Sequence, residues 1–192
     1  MKRLFHNNQT GIIENVRQVP SPNFDQRPEN THVDLLVVHA ISLPPRSYGG
    51  SFIEDFFSNC LDCDAHPYFK EIADLQVSSH FLIDRAGRIT QFVPTHSRAW
   101  HAGASIFNGV ESVNDFGIGI ELEGCDEDRF EFRQYDALVN LTRCLQEAYP
   151  EICGDRIVGH SDISPGRKTD PGPGFEWATY RAMLEQKRAA EK

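Results

Sequence analysis

The chain has 192 residues, of which 40% are hydrophobic and 24% are charged, and its formal net charge is −9. This length predicts one domain with a substantial core, and the acidic balance argues against nucleic acid as the main partner. The sequence contains no long apolar run, and its first residues lack the apolar core of a secretory signal. We therefore expect a cytoplasmic protein that makes no membrane contact.

The cysteines are odd in number and irregularly spaced, which favours free thiols in a reducing compartment. Cys60 and Cys63 form a C-x-x-C pair, but no second pair follows at the spacing of a zinc ribbon. We interpret all five as free thiols, with Cys144 on the core side of a helix: Cys60, Cys63, Cys125, Cys144 and Cys153.

The first strongly predicted element is a buried strand that ends at His39. Residues 1–16 indicate only an edge segment, and the prolines that follow predict an irregular loop. The continuous apolar run at 35–38 is typical of a strand buried on both faces. A histidine at such a position is more often structural than functional. His160 also follows a short apolar run, however, and open α/β sheets place their chemistry at strand ends.

The segment after this strand predicts a loop beside the site, a short helix and a hairpin. Ser51 and Glu54 have capping-box spacing for a helix through residue 57. Residues 59–69 resemble a lid-like loop that could bring Tyr68 to a cleft. Residues 76–84 and 88–94 predict a hairpin, with His80 on its first strand.

A second buried strand is predicted at 116–124, and it carries Glu121. Alternation places Ile118 and Ile120 on one face and Glu121 on the other, together with two glycines that leave room for a close approach to the backbone. A carboxylate in such a half-buried cleft has a raised pKa, which suits a general base. The alternative is an edge strand with Glu121 in solvent.

Two helices complete the pattern, one at 133–148 and one at 177–186, followed by a charged tail that we expect to fray. The resulting fold class is α/β, with a mixed central β-sheet flanked by helices. We expect a single domain over 1–192 with its core at about 17–184.

The segment 159–173 combines an imidazole, two carboxylates and an amine with a rigid Pro-Gly-Pro turn. His160 and Asp170 are side chains that zinc accepts as ligands, and the turn can hold Asp170 in place without a helix or strand. Taken alone, the segment could equally be a solvated polar loop.

Together with Trp100 and His101, these motifs resemble the type 2 zinc-dependent N-acetylmuramoyl-L-alanine amidases. That family includes the peptidoglycan recognition proteins, and the likeness is greatest to its cytosolic members that act on 1,6-anhydro-muropeptides. The resemblance covers about residues 17–184 and rests on segments 19–22, 36–45, 65–69, 114–124 and 167–173.

The resemblance implies a catalytic zinc site with one Zn²⁺ per chain. His39, His160 and Asp170 match the family's metal ligands, which leaves a fourth position for water. Glu121 matches the catalytic glutamate, and Lys168 matches the basic residue that supports the transition state.

The implied activity is hydrolysis of the amide between the lactyl group of (1,6-anhydro-)N-acetylmuramic acid and L-alanine, in cytosolic peptidoglycan recycling. The expected partner is therefore an anhydro-muramyl peptide, and we expect a monomer. One alternative is a protein that binds peptidoglycan fragments without cleaving them, although such relatives usually lack a metal ligand. A weaker alternative is an exported amidase that acts on intact cell wall.

The remaining candidate residues have less defined roles. We expect these to contact substrate or to support the metal ligands: Tyr68, His80, Trp100, His101 and Asn114. A rival zinc set would be His39, His80 and His160.

Three positions depart from the pattern of the cytosolic relatives, namely Ala40, Gln76 and Ser112, and they affect the expected substrate contacts. Because the chain is acidic overall and a muropeptide is anionic, Arg98 and Lys168 are expected to supply local positive charge.

Overall fold

The computed structural model describes residues 3–190. The α-helices are α1 Phe52–Phe57, α2 Phe69–Ile72, α3 Phe132–Ala148, α4 His160–Ile163 and α5 Trp177–Ala190. The strands are β1 Phe5–Asn7, β2 Ile12–Glu14, β3 Arg17–Gln18, β4 Phe24–Gln26, β5 Leu35–Ile41, β6 Phe81–Ile83, β7 Ile89–Gln91, β8 Ser97–Ala99, β9 Ile106–Phe107, β10 Val110–Glu111, β11 Gly117–Glu123 and β12 Ile157–Gly159.

Six of these strands form the predicted mixed central sheet, in the order β12-β5-β11-β6-β7-β3. Strands β12, β5, β11 and β6 run parallel to one another, β7 is antiparallel to β6, and β3 adds a parallel edge to β7. Paired residues of parallel neighbours project from the same face of a sheet. Glu121 of β11 is paired with His39 of β5, so both side chains leave the same face.

The two faces of the sheet are covered differently. Helices α3 and α5 pack on one face over a large core that includes Leu36, Ile118 and Ile120. The opposite face carries two smaller apolar clusters, one around α1 and α2 and the other around Leu35, Val37 and the end of α4. Because His39 and Glu121 project from this second face, the site they form lies over the middle of the sheet.

Helix α3 matches its prediction closely. Its start is fixed by Gln134, whose Oε1 accepts from the backbone N–H of Glu131 at 3.0 Å, as in a capping box. The residues of the predicted apolar stripe are all buried, namely Tyr135, Leu138, Val139, Thr142 and Leu145. The neighbouring Cys144 is buried as well. All five cysteines are unpaired, as expected.

The boundaries of three predicted strands were wrong. Strand β5 continues two residues past His39, and the hairpin strands β6 and β7 are much shorter than 76–84 and 88–94. Residues 76–79 leave the hairpin, and the Ser78 N–H donates to Trp100 O instead. His80 still accepts from the N–H of Phe92 in the other hairpin segment and donates to Gly119 O of β11, although β6 itself begins at Phe81. His80 therefore precedes β6 rather than lying on it.

The predicted capping box of α1 does not form. Ser51 adopts helical backbone angles, so its hydroxyl donates to Asp55 Oδ2 at 2.7 Å instead of capping the helix. The Glu54 carboxylate pairs with Arg17 of β3 and does not turn back to Ser51. In the lid-like loop that follows, Phe69 is fully buried and opens α2.

The ends of the described chain are more ordered than expected. The N-terminal segment forms the β1–β2 hairpin, and the proline-rich loop contributes β4, which pairs with β8. Helix α5 continues to Ala190, because Lys187 and Arg188 in its last turn favour the negative end of the helix dipole. Of the predicted frayed tail, Glu191 and Lys192 lie outside the described residues. None of the helices within 3–190 is long and apolar enough to cross a membrane.

Candidate active site

Three side chains from different parts of the chain converge over the sheet. His39 comes from β5, His160 follows β12 as the first residue of α4, and Asp170 lies in the proline-rich turn. The Nδ1 atoms of the two histidines are 2.9 Å apart, and Asp170 Oδ2 lies 3.1 Å from His160 Nδ1 and 3.3 Å from His39 Nδ1. Within residues 3–190, this is the one group of His, Cys, Asp and Glu side chains close enough to hold a metal ion.

The cluster is built by neighbouring strands. Gly159 of β12 is paired with Val38 of β5, so the next residue of each strand, His160 and His39, lies at the same level of the sheet. The backbone carbonyl of Asp170 accepts from the N–H of Ser161 at 3.0 Å, which ties the proline-rich turn to the start of α4. The convergence therefore depends on strand pairing and on one long-range backbone hydrogen bond.

Both histidines turn the same ring nitrogen toward Asp170. His39 Nε2 is hydrogen-bonded to His101 Nδ1 at 2.9 Å, and His160 Nε2 donates to the carbonyl oxygen of Ala102 at 3.1 Å. Burial lowers the pKa of His39 to about 4, so its ring is neutral at pH 7. With Nε2 protonated, the Nδ1 lone pair of each ring faces the cluster.

This donor set fits a divalent metal ion. Burial by itself raises the pKa of the Asp170 carboxyl, but the neighbouring rings of His160 and His39 outweigh it and hold that pKa well below its usual value. The cluster thus offers two imidazole nitrogens and one carboxylate oxygen. Tetrahedral coordination with bonds of about 2.0–2.2 Å places two ligand atoms about 3.3–3.5 Å apart. The observed separations of 2.9–3.3 Å are close to this spacing.

Glu121 lies beside the cluster with a carboxylate oxygen that has no partner in the described structure. Its side chain is buried, and burial raises the pKa of Glu121 well above its ordinary value, with a further increase from the charge of Asp170. The alternative of an edge strand with Glu121 in solvent is therefore wrong, and the predicted buried position of Glu121 is confirmed. A buried carboxylate whose Oε2 is free of the protein can accept a proton from a reacting group.

Lys168 is exposed at the rim of the same cleft, two residues before Asp170. Its backbone N–H donates to Ser164 O at 3.0 Å, which holds the residue against the end of α4. The positive charge lowers the pKa of Glu121, and it also disfavours protonation of His39. Both effects place the ammonium group within electrostatic reach of the cluster.

A cleft of about 390 Å³ opens over these groups. Its walls combine apolar side chains with polar groups at the floor, the arrangement expected for a small-molecule site. Tyr68 and Trp100 lie on the wall, as predicted. Other large apolar groups of the wall include Leu43, Phe56, Phe57, Ile72 and Leu75.

His80 and Asn114 do not reach this cleft. His80 is fully buried, its Nδ1 accepts from the N–H of Gly119 at 3.1 Å, and its Nε2 donates to Ser97 O at 3.1 Å. With both nitrogens occupied, His80 cannot join His39 in the rival zinc set. Asn114 is occupied with backbone groups, since its Oδ1 accepts from the N–H groups of His101 and Ala102.

Arg98 does not supply free positive charge, contrary to expectation. Its guanidinium donates to both carboxylate oxygens of Asp25 at 2.6 Å and to Asp115 Oδ1 at 2.7 Å. Lys168 is therefore the exposed cation that lines the described cleft.

Two contributors to the site were not among the predicted site residues. Ala102 contributes only its carbonyl oxygen, and Arg167 binds that oxygen together with Ala104 O and Ser164 Oγ. Backbone acceptors are the same in every residue, so residue type gives no signal for the role of Ala102. Arg167 lies next to Lys168 in the family motif, and its position there was the one available signal.

The glycine at position 119 makes room for His101. A Cβ atom built on Gly119 would lie 2.5 Å from Cγ of the His101 ring, and one built on Gly117 would lie 2.9 Å from the backbone oxygen of Val113. We expect Gly119→Ala to lower the free energy of unfolding by about 1–3 kcal/mol, because a buried ring must move. Denaturant unfolding would measure this, and equal stability of the variant would contradict the close packing.

The fold and the site together define a class: a protein with a mixed α/β fold, a candidate metal centre and a buried carboxylate beside it, as in a metal-dependent hydrolase. Residues 29–173 match the family model described as N-acetylmuramoyl-L-alanine amidase. The chain is 53% identical over 175 residues to the 1,6-anhydro-N-acetylmuramyl-L-alanine amidase AmpD of Haemophilus influenzae, covering 91% of this chain and 95% of the relative. This chain therefore belongs to the N-acetylmuramoyl-L-alanine amidase family and is an amidase.

Two solved structures agree with this assignment. A crystal structure of a selenomethionine AmpD derivative superimposes with a TM-score of 0.88 at 49% identity, covering 91% of this chain and 97% of that one. The amidase AmiD of E. coli superimposes with a TM-score of 0.58 at 28% identity, covering 95% of this chain and 66% of that one. The predicted fold of the amidase family is thereby confirmed.

Proposed function

We propose that this amidase hydrolyses the amide between the lactyl group of 1,6-anhydro-N-acetylmuramic acid and L-alanine in muropeptides. The observation that carries the proposal is the convergence of His39, His160 and Asp170 beside the unpartnered carboxylate oxygen of Glu121. The name of the H. influenzae relative states this substrate class. The AmiD structure is described as a complex with the substrate anhydro-N-acetylmuramic acid-L-Ala-D-gamma-Glu-L-Lys. The proposal includes cytoplasmic peptidoglycan recycling as the setting and a monomer as the active form.

We further propose that His39, His160 and Asp170 hold one Zn²⁺ per chain. Two imidazole nitrogens and one carboxylate oxygen form a typical three-ligand set of catalytic zinc sites, which leave a further position for water or substrate. When bound, zinc lowers the pKa of such a water and polarises a carbonyl oxygen. Its positive charge also favours the ionised form of Glu121, against the effect of burial.

The chain's own residues then have distinct roles in the reaction. Glu121 takes a proton from the attacking water at its free Oε2 and returns it to the leaving amine of L-alanine. The ammonium of Lys168 stabilises the negative charge that develops on the lactyl carbonyl oxygen. Tyr68 and Trp100 offer apolar ring surface on the cleft wall, which suits the apolar face of a sugar ring.

The metal assignment is tested by two substitutions in the ligand cluster. We expect the unaltered chain to contain one zinc ion, and His39→Ala and Asp170→Ala to lose it, because each removes one of three ligands. Elemental analysis of the purified proteins measures this directly. Full zinc retention in both variants would contradict the assignment.

The activity is tested with 1,6-anhydro-N-acetylmuramyl-tripeptide, by following the release of free tripeptide. We expect release by the zinc-loaded protein, loss after treatment with a chelator, and recovery when zinc is restored. A protein that binds this compound without releasing tripeptide would instead be the non-catalytic binding protein. Cleavage of the reducing-end muramyl peptide at the same rate would contradict the preference for the anhydro sugar.

A further inference from the structure

The two candidate metal-binding histidines each contact one residue of the dipeptide His101–Ala102 through the ring nitrogen that faces away from Asp170. His39 Nε2 is hydrogen-bonded to His101 Nδ1 at 2.9 Å, and His160 Nε2 donates to Ala102 O at 3.1 Å. The two histidines come from different elements of the fold, β5 and α4. Both rings are thus hydrogen-bonded to the same dipeptide on the side away from Asp170.

The dipeptide is itself held by one side chain. Asn114 Oδ1 accepts from the backbone N–H of His101 at 3.1 Å and from that of Ala102 at 2.8 Å. Two hydrogen bonds to a single oxygen restrict the rotation of the peptide unit between these residues. Arg167 adds a further hydrogen bond to the same Ala102 oxygen that His160 uses.

We propose that the dipeptide His101–Ala102, held by Asn114, is a shared positioning element that directs Nδ1 of both His39 and His160 toward the metal. This inference rests on the proposed metal site and adds to it a role for His101, Ala102 and Asn114, none of which is a proposed metal ligand. A ligating histidine whose other ring nitrogen donates to a fixed acceptor has a defined tautomer and ring orientation. Here one fixed segment supplies both acceptors.

Packing alone does not account for the histidine at position 101. The ring is buried against Gly119 and lies edge-on to His39, with ring centroids 5.0 Å apart. Its Nε2 is buried and has no hydrogen-bond partner in the described part of the chain. An unpartnered buried N–H is destabilising, and an apolar side chain of similar size would avoid that cost. What histidine provides here, and leucine would not, is the Nδ1 acceptor for His39.

Two matched pairs of variants separate positioning from packing. His101→Leu removes the acceptor, whereas His101→Asn keeps one, because the asparagine Oδ1 takes about the place of the histidine Nδ1. Asn114→Leu likewise removes the oxygen that holds the dipeptide, whereas Asn114→Asp keeps one. The probe is Zn²⁺ itself, titrated into metal-free protein against a chromophoric chelator.

We expect both leucine variants to bind zinc about 10–100-fold more weakly, the usual effect of losing such a supporting residue. His101→Asn and Asn114→Asp should retain an affinity close to that of the unaltered chain. Unchanged affinity in His101→Leu, or an equal loss in His101→Asn, would overturn the proposal. If His101→Leu fails to fold, the Asn114 pair makes the same distinction.

A second readout is independent of zinc. The melting temperature of metal-free His101→Leu should stay close to that of the unaltered chain, because one unpartnered N–H at His101 is exchanged for another at His39. In metal-free protein, ¹⁵N NMR of the imidazole rings should show His39 protonated at Nε2, and a mixture of tautomers in His101→Leu. A loss of affinity that merely follows a large fall in melting temperature, with the tautomer unchanged, would indicate a structural role and contradict the proposal.

His39→Ala separates this inference from the metal site on which it rests. Loss of zinc in His39→Ala together with normal binding in His101→Leu would contradict only the positioning role. Normal binding in His39→Ala would contradict the proposed metal site.

Discussion

Glu121→Gln is expected to abolish most amidase activity, by about 10²–10⁴-fold, while zinc content and fold are retained. The substitution is nearly isosteric and removes only the ability of the side chain to take a proton, which is worth about this much in general base catalysis. Steady-state release of tripeptide from the anhydro-muropeptide measures the loss. Unaltered turnover would show that another group is the base.

The same substitution is expected to stabilise the metal-free protein at neutral and alkaline pH. Burial raises the folded-state pKa of Glu121 above the ordinary value of 4.5, so the ionised form is favoured in the unfolded chain. The folded protein therefore loses stability as the pH rises through the folded-state pKa of Glu121. No such loss occurs below the pKa of this residue in the unfolded chain. Relative to the unaltered chain, Glu121→Gln should gain about 1–3 kcal/mol at high pH, because the amide, although also without partners, avoids the burial of a negative charge. The gain should vanish below about pH 4.5.

Glu123 provides the matched control on the same strand. It is also buried, but its carboxylate accepts hydrogen bonds from the backbone N–H groups of Gly49 and Arg85. Glu123→Gln should lower the stability of the protein because it weakens charge-assisted hydrogen bonds, and it should leave the activity largely intact. Opposite changes in stability from two equivalent substitutions would be difficult to explain unless Glu121 is kept unpartnered for catalysis. A stability loss in Glu121→Gln would contradict this account.

Lys168→Ala is expected to lower kcat by about 10²–10³-fold with little change in KM, because its ammonium acts on charge that develops in the transition state. The positive charge of Lys168 already influences Glu121 and His39 in the free protein. Lys168→Met, which keeps the length of the side chain, should behave like Lys168→Ala, and Lys168→Arg should recover part of the rate.

The competing role for Lys168 is ground-state binding of the stem-peptide carboxylates. Because Arg98 is paired with Asp25 and Asp115, Lys168 is the cation of the described cleft that could do so. That role predicts a rise in KM with unchanged kcat for Lys168→Ala. If the transition-state role is correct, the ratio of the rates for substrates with and without the terminal carboxylate should be the same in Lys168→Ala as in the unaltered chain.

Much of the site could be predicted from the sequence because its chemical groups lie beside apolar runs. His39 and His160 follow buried strands, and the alternation of β11 placed Glu121 on the face opposite Ile118. The proline-rich turn pointed to Asp170, and the family resemblance joined these positions into one site. Residue type and local periodicity carry this information, so no tertiary contact was needed to find it.

The errors arose where long-range hydrogen bonds replaced local patterns. Residues 76–79 were placed on a strand, but the backbone N–H of Ser78 donates to Trp100 O. Ser51 has a capping sequence, but its hydroxyl and the Glu54 carboxylate bind other partners. Arg98 has the charge expected of a substrate contact, but two carboxylates neutralise it. In each case, a partner other than the one expected from the local sequence binds the group.

The sequence by itself determined which donors are available and that Glu121 projects from the strand face opposite Ile118 and Ile120, because strand alternation and residue chemistry are local properties. Only the tertiary structure decided which nitrogen of His39 and His160 faces Asp170. That choice depends on acceptors at His101 and Ala102, which strand pairing and the side chain of Asn114 bring behind the two rings. A tautomer is set by the partner of the opposite nitrogen, and this partner is distant in the chain.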